Sequence, residues 1–98
     1  MRVISKKTLI NFWNKYPEAE QALKAWYDEV AGANWKTPNE VKLQYKSASV
    51  VGGSRIVFNI AGNKYRLIVA ISYQHSAIYI KFIGTHSEYD RVNALTIG

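Results

Sequence analysis

The chain changes its hydrophobic period near the middle. From Leu9 to Val30 apolar residues recur at three- and four-residue spacing: Leu9, Ile10, Phe12, Trp13 and Tyr16, then Ala19, Ala22, Leu23, Trp26 and Val30. Each set forms one stripe along an α-helix, the face that turns inward. Ser5 stands where a side-chain N-cap for the first helix belongs. Pro17 opens the second, where its missing N–H is no loss, and Gly32 closes it. Thr37-Pro38-Asn39-Glu40 has the capping-box pattern with proline at the first helical position, which predicts a third, short helix ending near Tyr45. Ahead of all three, Met1 to Ile4 is short and β-branched, a first strand. The tryptophans and tyrosines of these helices are residue types suited to stacking on bases, but their helical spacing assigns them to the core.

Gly52-Gly53 breaks the chain, and beyond it the period is two. Ile56, Phe58 and Ile60 line one face of a strand, with Arg55, Val57 and Asn59 on the other. Gly62-Asn63 offers residues that accept positive φ in a tight hairpin. The next strand turns Tyr65, Leu67, Val69, Ile71 and Tyr73 inward and leaves Lys64, Arg66, Ile68, Ala70 and Ser72 opposite. After a turn at Gln74 to Ala77, Ile78, Ile80 and Phe82 point inward, while Tyr79, Lys81 and Ile83 point away. Keeping core residues together pairs Ile60 with Tyr65 and Tyr73 with Ile78. Arg66 then faces Asn59 on one side and Thr85 on the other, and Arg55 faces Ala70, which faces Lys81. A slip of one residue would drive Arg66 and Lys81 into the core, so the register is well specified. The expected fold is α+β: one domain over residues 1–98, a small, mainly antiparallel sheet with two to three N-terminal helices on its apolar face. Its other face should carry Arg55, Asn59, Lys64, Arg66 and Lys81, with Thr85 and His86 at the lip.

Composition narrows the function. A hydrophobic content of 48% with 13% aromatics marks a folding chain rather than a disordered one. The absence of cysteine removes disulfides and thiolate chemistry. The start shows no signal peptide and no apolar run approaches the roughly 20 residues of a membrane span, so a soluble, cytoplasmic protein without a membrane partner is expected. The net charge is +6, and no acidic residue occurs between Glu40 and Glu88. That stretch holds Lys42, Lys46, Arg55, Lys64, Arg66 and Lys81, the electrostatic pattern of a polyanion binder.

Cleaving RNA without a metal requires a base for the 2′-OH, cations for the extra negative charge, and an acid for the leaving 5′-oxygen. Histidine serves either proton-transfer role, and arginine grips phosphate oxygens with a bidentate fork. His86, next to Arg66 in the expected register, is the candidate. His75 falls in a hairpin turn and reads as a solvated turn residue. Asp90 either orients the histidine or complements a helix end. The two histidines and scattered acids show no metal-ligand spacing, and no cofactor is expected.

Phe58-Asn59-Ile60-Ala61-Gly62-Asn63-Lys64-Tyr65-Arg66-Leu67-Ile68 and Gly84-Thr85-His86-Ser87-Glu88-Tyr89-Asp90 resemble the HigB branch of the RelE/ParE toxin superfamily. So do Val3-Ile4-Ser5 with its two helices and the Lys36-Thr37-Pro38 entry to the third. The resemblance implies a toxin of a type II toxin–antitoxin system, a ribosome-dependent mRNA endonuclease (mRNA interferase). Its expected partners are mRNA in the ribosomal A site with 16S rRNA contacts, and a helix-turn-helix antitoxin of the HigA type. Operator DNA would be reached only through that antitoxin. It further implies His86 for proton transfer, Arg66 for the phosphate and Tyr89 for stacking or proton transfer; the exposed basic face adds Lys81 for the phosphate and Arg55, Asn59 and Lys64 for binding RNA. Histidine stands where RelE proper has arginine, which leaves base and acid unassigned. ParE relatives share the fold but act on DNA gyrase by binding, and a plain RNA-binding module would use only the basic face. Convergence of Arg66, Lys81 and His86 is the feature that neither alternative requires.

Overall fold

A computed structural model describes residues 1–98. The elements are β1 (Arg2–Ile4), α1 (Lys6–Lys15), a 3₁₀ turn (Pro17–Ala19), α2 (Glu20–Ala31), α3 (Pro38–Gln44), β2 (Ser49–Gly52), β3 (Arg55–Ile60), β4 (Tyr65–Ser72), β5 (Ala77–Thr85) and α4 (His86–Tyr89). The sheet runs β1-β5-β4-β3-β2, with β1 parallel to β5 and the other neighbours antiparallel. Leu9, Phe12, Trp13, Leu23, Trp26 and Val30 from the helices share one core with Ile56, Phe58, Leu67, Val69, Ile71 and Ile78 from the strands. The helical stripes and the inward strand residues therefore meet as their periods require. Trp26 and Tyr45 both meet Phe58 edge-on, with ring centroids 5.4 and 5.1 Å away.

Local chemistry sets the element ends, and some of it differs from the expectation. Ser5 precedes α1 but its side chain makes no capping bond, and its φ is 76°. It is the single residue joining β1 to α1, so its backbone makes the reversal and the hydroxyl is not aimed at the helix. The second helix starts as a 3₁₀ turn at Pro17 and becomes α-helical only at Glu20. Its C-terminal end has no basic residue, but the Met1 ammonium donates to the carbonyls of Val30, Ala31 and Ala33, where the helix dipole favours a cation. Thr37 caps α3 by accepting from the Glu40 N–H at 3.4 Å. The Glu40 carboxylate accepts from the Lys36 N–H at 3.2 Å and the Thr37 hydroxyl at 3.3 Å, one residue earlier than a closed capping box requires.

Three features of the sheet depart from the sequence reading. β2 was not expected: it is a short edge strand, largely exposed, and so lacks the alternation that announces β3 and β4. The hairpin after β3 takes positive φ at Ala61 and Gly62 rather than at Gly62 and Asn63. The largest difference lies between β4 and β5. Ser72 pairs with Ala77, so the turn occupies Tyr73 to Ser76 and the pairing of Tyr73 with Ile78 does not form. Further along, Val69 lies beside Ile80 and Ile68 beside Phe82, which makes Lys81 the extra residue of a β-bulge. Beyond the bulge the two faces of β5 are exchanged: Phe82 sits with Ile68, and Ile83 packs against the helix-side core. Arg66 consequently faces Gly84 rather than Thr85, and Ala70 faces Tyr79 rather than Lys81. On the other side Ile60–Tyr65, Asn59–Arg66 and Arg55–Ala70 pair as expected.

Nor is the face away from the helices open throughout. Val57 and Ile68, which alternation assigns to solvent, are 4% and 0% exposed. The segment 91–98 lies on this side. Arg55 Nη1 donates to the carbonyls of Ala94 and Ile97, and Lys81 Nζ donates to that of Gly98 at 3.5 Å.

Candidate functional site

The open part of this face lies at the end of the sheet where β3 and β5 finish and β4 begins. Asn59, Arg66 and Gly84 form one row across β3, β4 and β5. Asn59 extends the row outward by donating from Nδ2 to the Ser47 carbonyl at 3.3 Å. At the other end β5 turns directly into α4. Thr85 caps that helix with a closed capping box: its hydroxyl accepts from the Glu88 N–H at 3.2 Å, and the Glu88 carboxylate accepts from the Thr85 N–H at 2.8 Å. The His86 N–H donates to the Lys64 carbonyl at 3.2 Å, which ties α4 to the start of β4.

Gly84 allows this close approach. A Cβ there would meet the Phe82 ring at 2.5 Å and the Glu88 Cβ at 3.1 Å, so any side chain would have to displace that ring and crowd α4. With α4 seated, the Arg66 guanidinium carbon stands 5.9 Å from the centre of the Tyr89 ring. Arg66 Nη1 also donates to the carbonyls of Asn63 and Tyr65, which fixes part of the fork and leaves the other nitrogens free. One helical turn apart on α4, His86 Nδ1 and Asp90 Oδ2 are 3.3 Å apart, both side chains more than half exposed. Asp90 is thus within reach of the His86 ring, where the orienting role considered for it needs it. An Nδ1–H donated to Asp90 leaves Nε2 as the free lone pair of the ring.

Tyr65, beside Arg66 but on the core face, is not available for proton transfer. Its hydroxyl donates to Glu18 at 2.8 Å, and burial followed by the Glu18 carboxylate pushes it up to about 12. Glu18 in turn is held below the usual carboxylate range by its own backbone N–H, then by Tyr65, with the Lys64 charge adding to both.

The structure thus gathers Arg66, Tyr89, His86, Asn59 and the Lys64 backbone at one rim. Two expected site residues do not join them. Arg55 is committed to the 91–98 segment. Lys81, the bulge residue, is three positions before Gly84, roughly 10 Å along the strand. There it contacts Gly98, with its ammonium 5.8 Å from the Tyr79 ring. His75 lies at the opposite end of β4, its Nδ1 2.9 Å from the Ser72 hydroxyl, as a turn residue should. Sequence reasoning missed Gly84 and the Ser47 side of the row. Thr85-Glu88 repeats the spacing of Thr37-Glu40, the signal by which the capped α4 could have been found. No three His, Cys, Asp or Glu side chains cluster as metal ligands would, and no helix is long and apolar enough to cross a membrane.

A family model described as HigB toxin, the RelE-like toxic component of a toxin–antitoxin system, matches residues 19–92, a span that contains the whole rim. The mRNA interferase toxin HigB of Escherichia coli (strain K12) is 29% identical over 97 residues, covering 97% of this chain and 93% of the relative. The mRNA interferase HigB of Shigella flexneri matches to the same extent. That of Escherichia coli O6:H1 is 27% identical over 94 residues, 94% of this chain and 91% of the relative.

Proposed function

The chain belongs to the HigB family of RelE-like toxic components of toxin–antitoxin systems, and from that membership we propose that it is an mRNA interferase that cuts message on the ribosome. The observation that carries the chemistry is the meeting of the His86–Asp90 pair with the Arg66–Tyr89 pair at one rim of an acid-free sheet. His86 Nε2 takes the 2′-OH proton while Asp90 steadies the imidazolium that forms. The 2′-oxygen attacks phosphorus, and the bond to the 5′-oxygen breaks. Arg66 neutralises the charge on the non-bridging oxygens. Tyr89 supplies the proton to the leaving 5′-oxygen, which yields a 2′,3′-cyclic phosphate and a free 5′-OH.

Dependence on the ribosome accords with the openness of the site. The one cleft in the protein, about 220 Å³, lies away from the rim, between α1 and α2. Contacts to phosphate at the rim leave the 2′-OH free to rotate, so message and 16S rRNA in the A site supply the in-line orientation. A HigA-type helix-turn-helix antitoxin neutralises the toxin and alone contacts operator DNA. The test compares cleavage of one message, naked and on programmed ribosomes, with and without a chelator at levels that leave ribosomes intact. Cleavage only on the ribosome, insensitive to chelation and ending in cyclic phosphate, is expected. Equal rates on naked RNA would overturn the ribosome requirement.

A further inference from the structure

The polar row through Asn59 and Arg66 does not stop at the sheet edge. It continues into the Lys46–Ser47 turn between α3 and β2, both of whose side chains are exposed. All three successive carbonyls of this turn region are held by side chains. Lys42 Nζ donates to Lys46 O at 2.8 Å and to Ala48 O at 2.5 Å, and Asn59 Nδ2 donates to Ser47 O. Ala48 is 1% exposed and anchors the turn in the core. Few exposed turns are held this firmly, since their carbonyls are usually left to water. Lys42 is thereby spent on structure, whereas no hydrogen bond or ion pair engages the Lys46 ammonium.

We propose that the Lys46–Ser47 turn is the far wall of the RNA track and that Lys46 binds a phosphate neighbouring the scissile one. The proposal rests on the cleavage site proposed above. Strands lie about 4.8 Å apart, so the row from Ser47 through Asn59 and Arg66 to Gly84 spans roughly 14 Å. That exceeds one phosphodiester link. A strand whose scissile phosphate sits between Arg66 and His86 therefore has its next phosphate over Asn59 and the turn. A lysine there acts as a point charge that holds the strand without touching the reacting atoms. Lys42 and Asn59 position it by fixing the carbonyls beneath.

The experiment uses the full chain on programmed ribosomes. Lys46→Ala is expected to raise KM about five- to tenfold, the worth of one charge-assisted contact, with kcat within about twofold of the parent. Its salt dependence should lose about 0.7 from the slope, one single-strand phosphate. Lys46→Arg should restore both, and Lys7→Ala, on the helix layer, should change neither. Lys42→Met should also raise KM, and adding Lys46→Ala to it should cost little more, because the two act as a unit. Parent KM and parent slope in Lys46→Ala would overturn the proposal. A parent protein that cleaves no message at all would instead overturn the activity itself.

Discussion

Arg66 and His86 have separate structural supports, the β3–β4 hairpin and α4, yet act on one phosphate in the proposed reaction. Arg66→Ala should slow single-turnover cleavage by about 10²–10³. His86→Ala should cost roughly 10²–10⁴. The double variant should be little worse than the poorer single, as groups that act together are non-additive. His75→Ala, at the far hairpin, should cleave at the parent rate. A folded His86→Ala protein that cuts as fast as the parent would remove histidine from the mechanism. Tyr65 gives a stability test at the same scale. Its folded-state value lies above the usual 10, so stability should hold below pH 10 and fall as pH rises toward about 12. In that window the unfolded chain ionises first. Tyr65→Phe should make urea midpoints fall less steeply there, though Tyr45 and Tyr73, raised mainly by burial, keep some of the dependence. An unchanged slope would show that Tyr65 does not carry it. Glu18 works in the other direction: its contribution is present above the usual carboxylate range and is lost as acid protonates it.

The elements explain what the sequence could and could not reveal. α1, α2 and β3 were legible because a long stripe or a strict alternation leaves one way to bury the apolar set. The β3–β4 register was legible for the same reason, and with it the pairing of Asn59 with Arg66. The Lys81 bulge was not. Ile80, Phe82 and Ile83 fit either face by polarity, so nothing in their order shows where the alternation skips. The consequence reached the site. Lys81 keeps the outward face that alternation gives it but lies three positions along the strand from Gly84, the residue actually opposite Arg66. The closed box on α4 allows a separate test. Thr85→Ala should lower helix stability by about 1 kcal/mol. Amide exchange at Asp90 and Arg91, which bond back to His86 and Glu88, should quicken while the β4 amides stay protected. Cleavage should fall with it, because His86 and Tyr89 both ride on that helix. Unchanged exchange at those two amides would mean that the cap does not hold α4.

Across the whole molecule, the basic excess divides between binding and architecture. Their place on the face away from the helices made Arg55 and Lys81 look like RNA-site residues, but the carbonyls that engage them there come from residues some forty and seventeen positions later, a closure no local pattern encodes. Arg55→Ala should therefore act on stability. Two carbonyls lose their donor, at about 1–3 kcal/mol, which for a domain of this size lowers Tm by several degrees. The salt slope of ribosome binding should keep its parent value. A lower slope with an unchanged Tm would return Arg55 to the RNA surface.

The parallel seam between β1 and β5 has a consequence for when this protein becomes dangerous to the cell that makes it. Arg2 lies beside Ala77 and Ile4 beside Tyr79, so the first strand waits for nearly the last one before the sheet can close. Contacts so distant along the chain form late, after shorter loops have closed. His86, Tyr89 and Asp90 come after β5, so they are synthesised after every strand of the sheet. The proposed cleavage site is thus completed only when β1 has met β5, and the interval between synthesis and that closure is the time in which an inhibitor can reach the protein first.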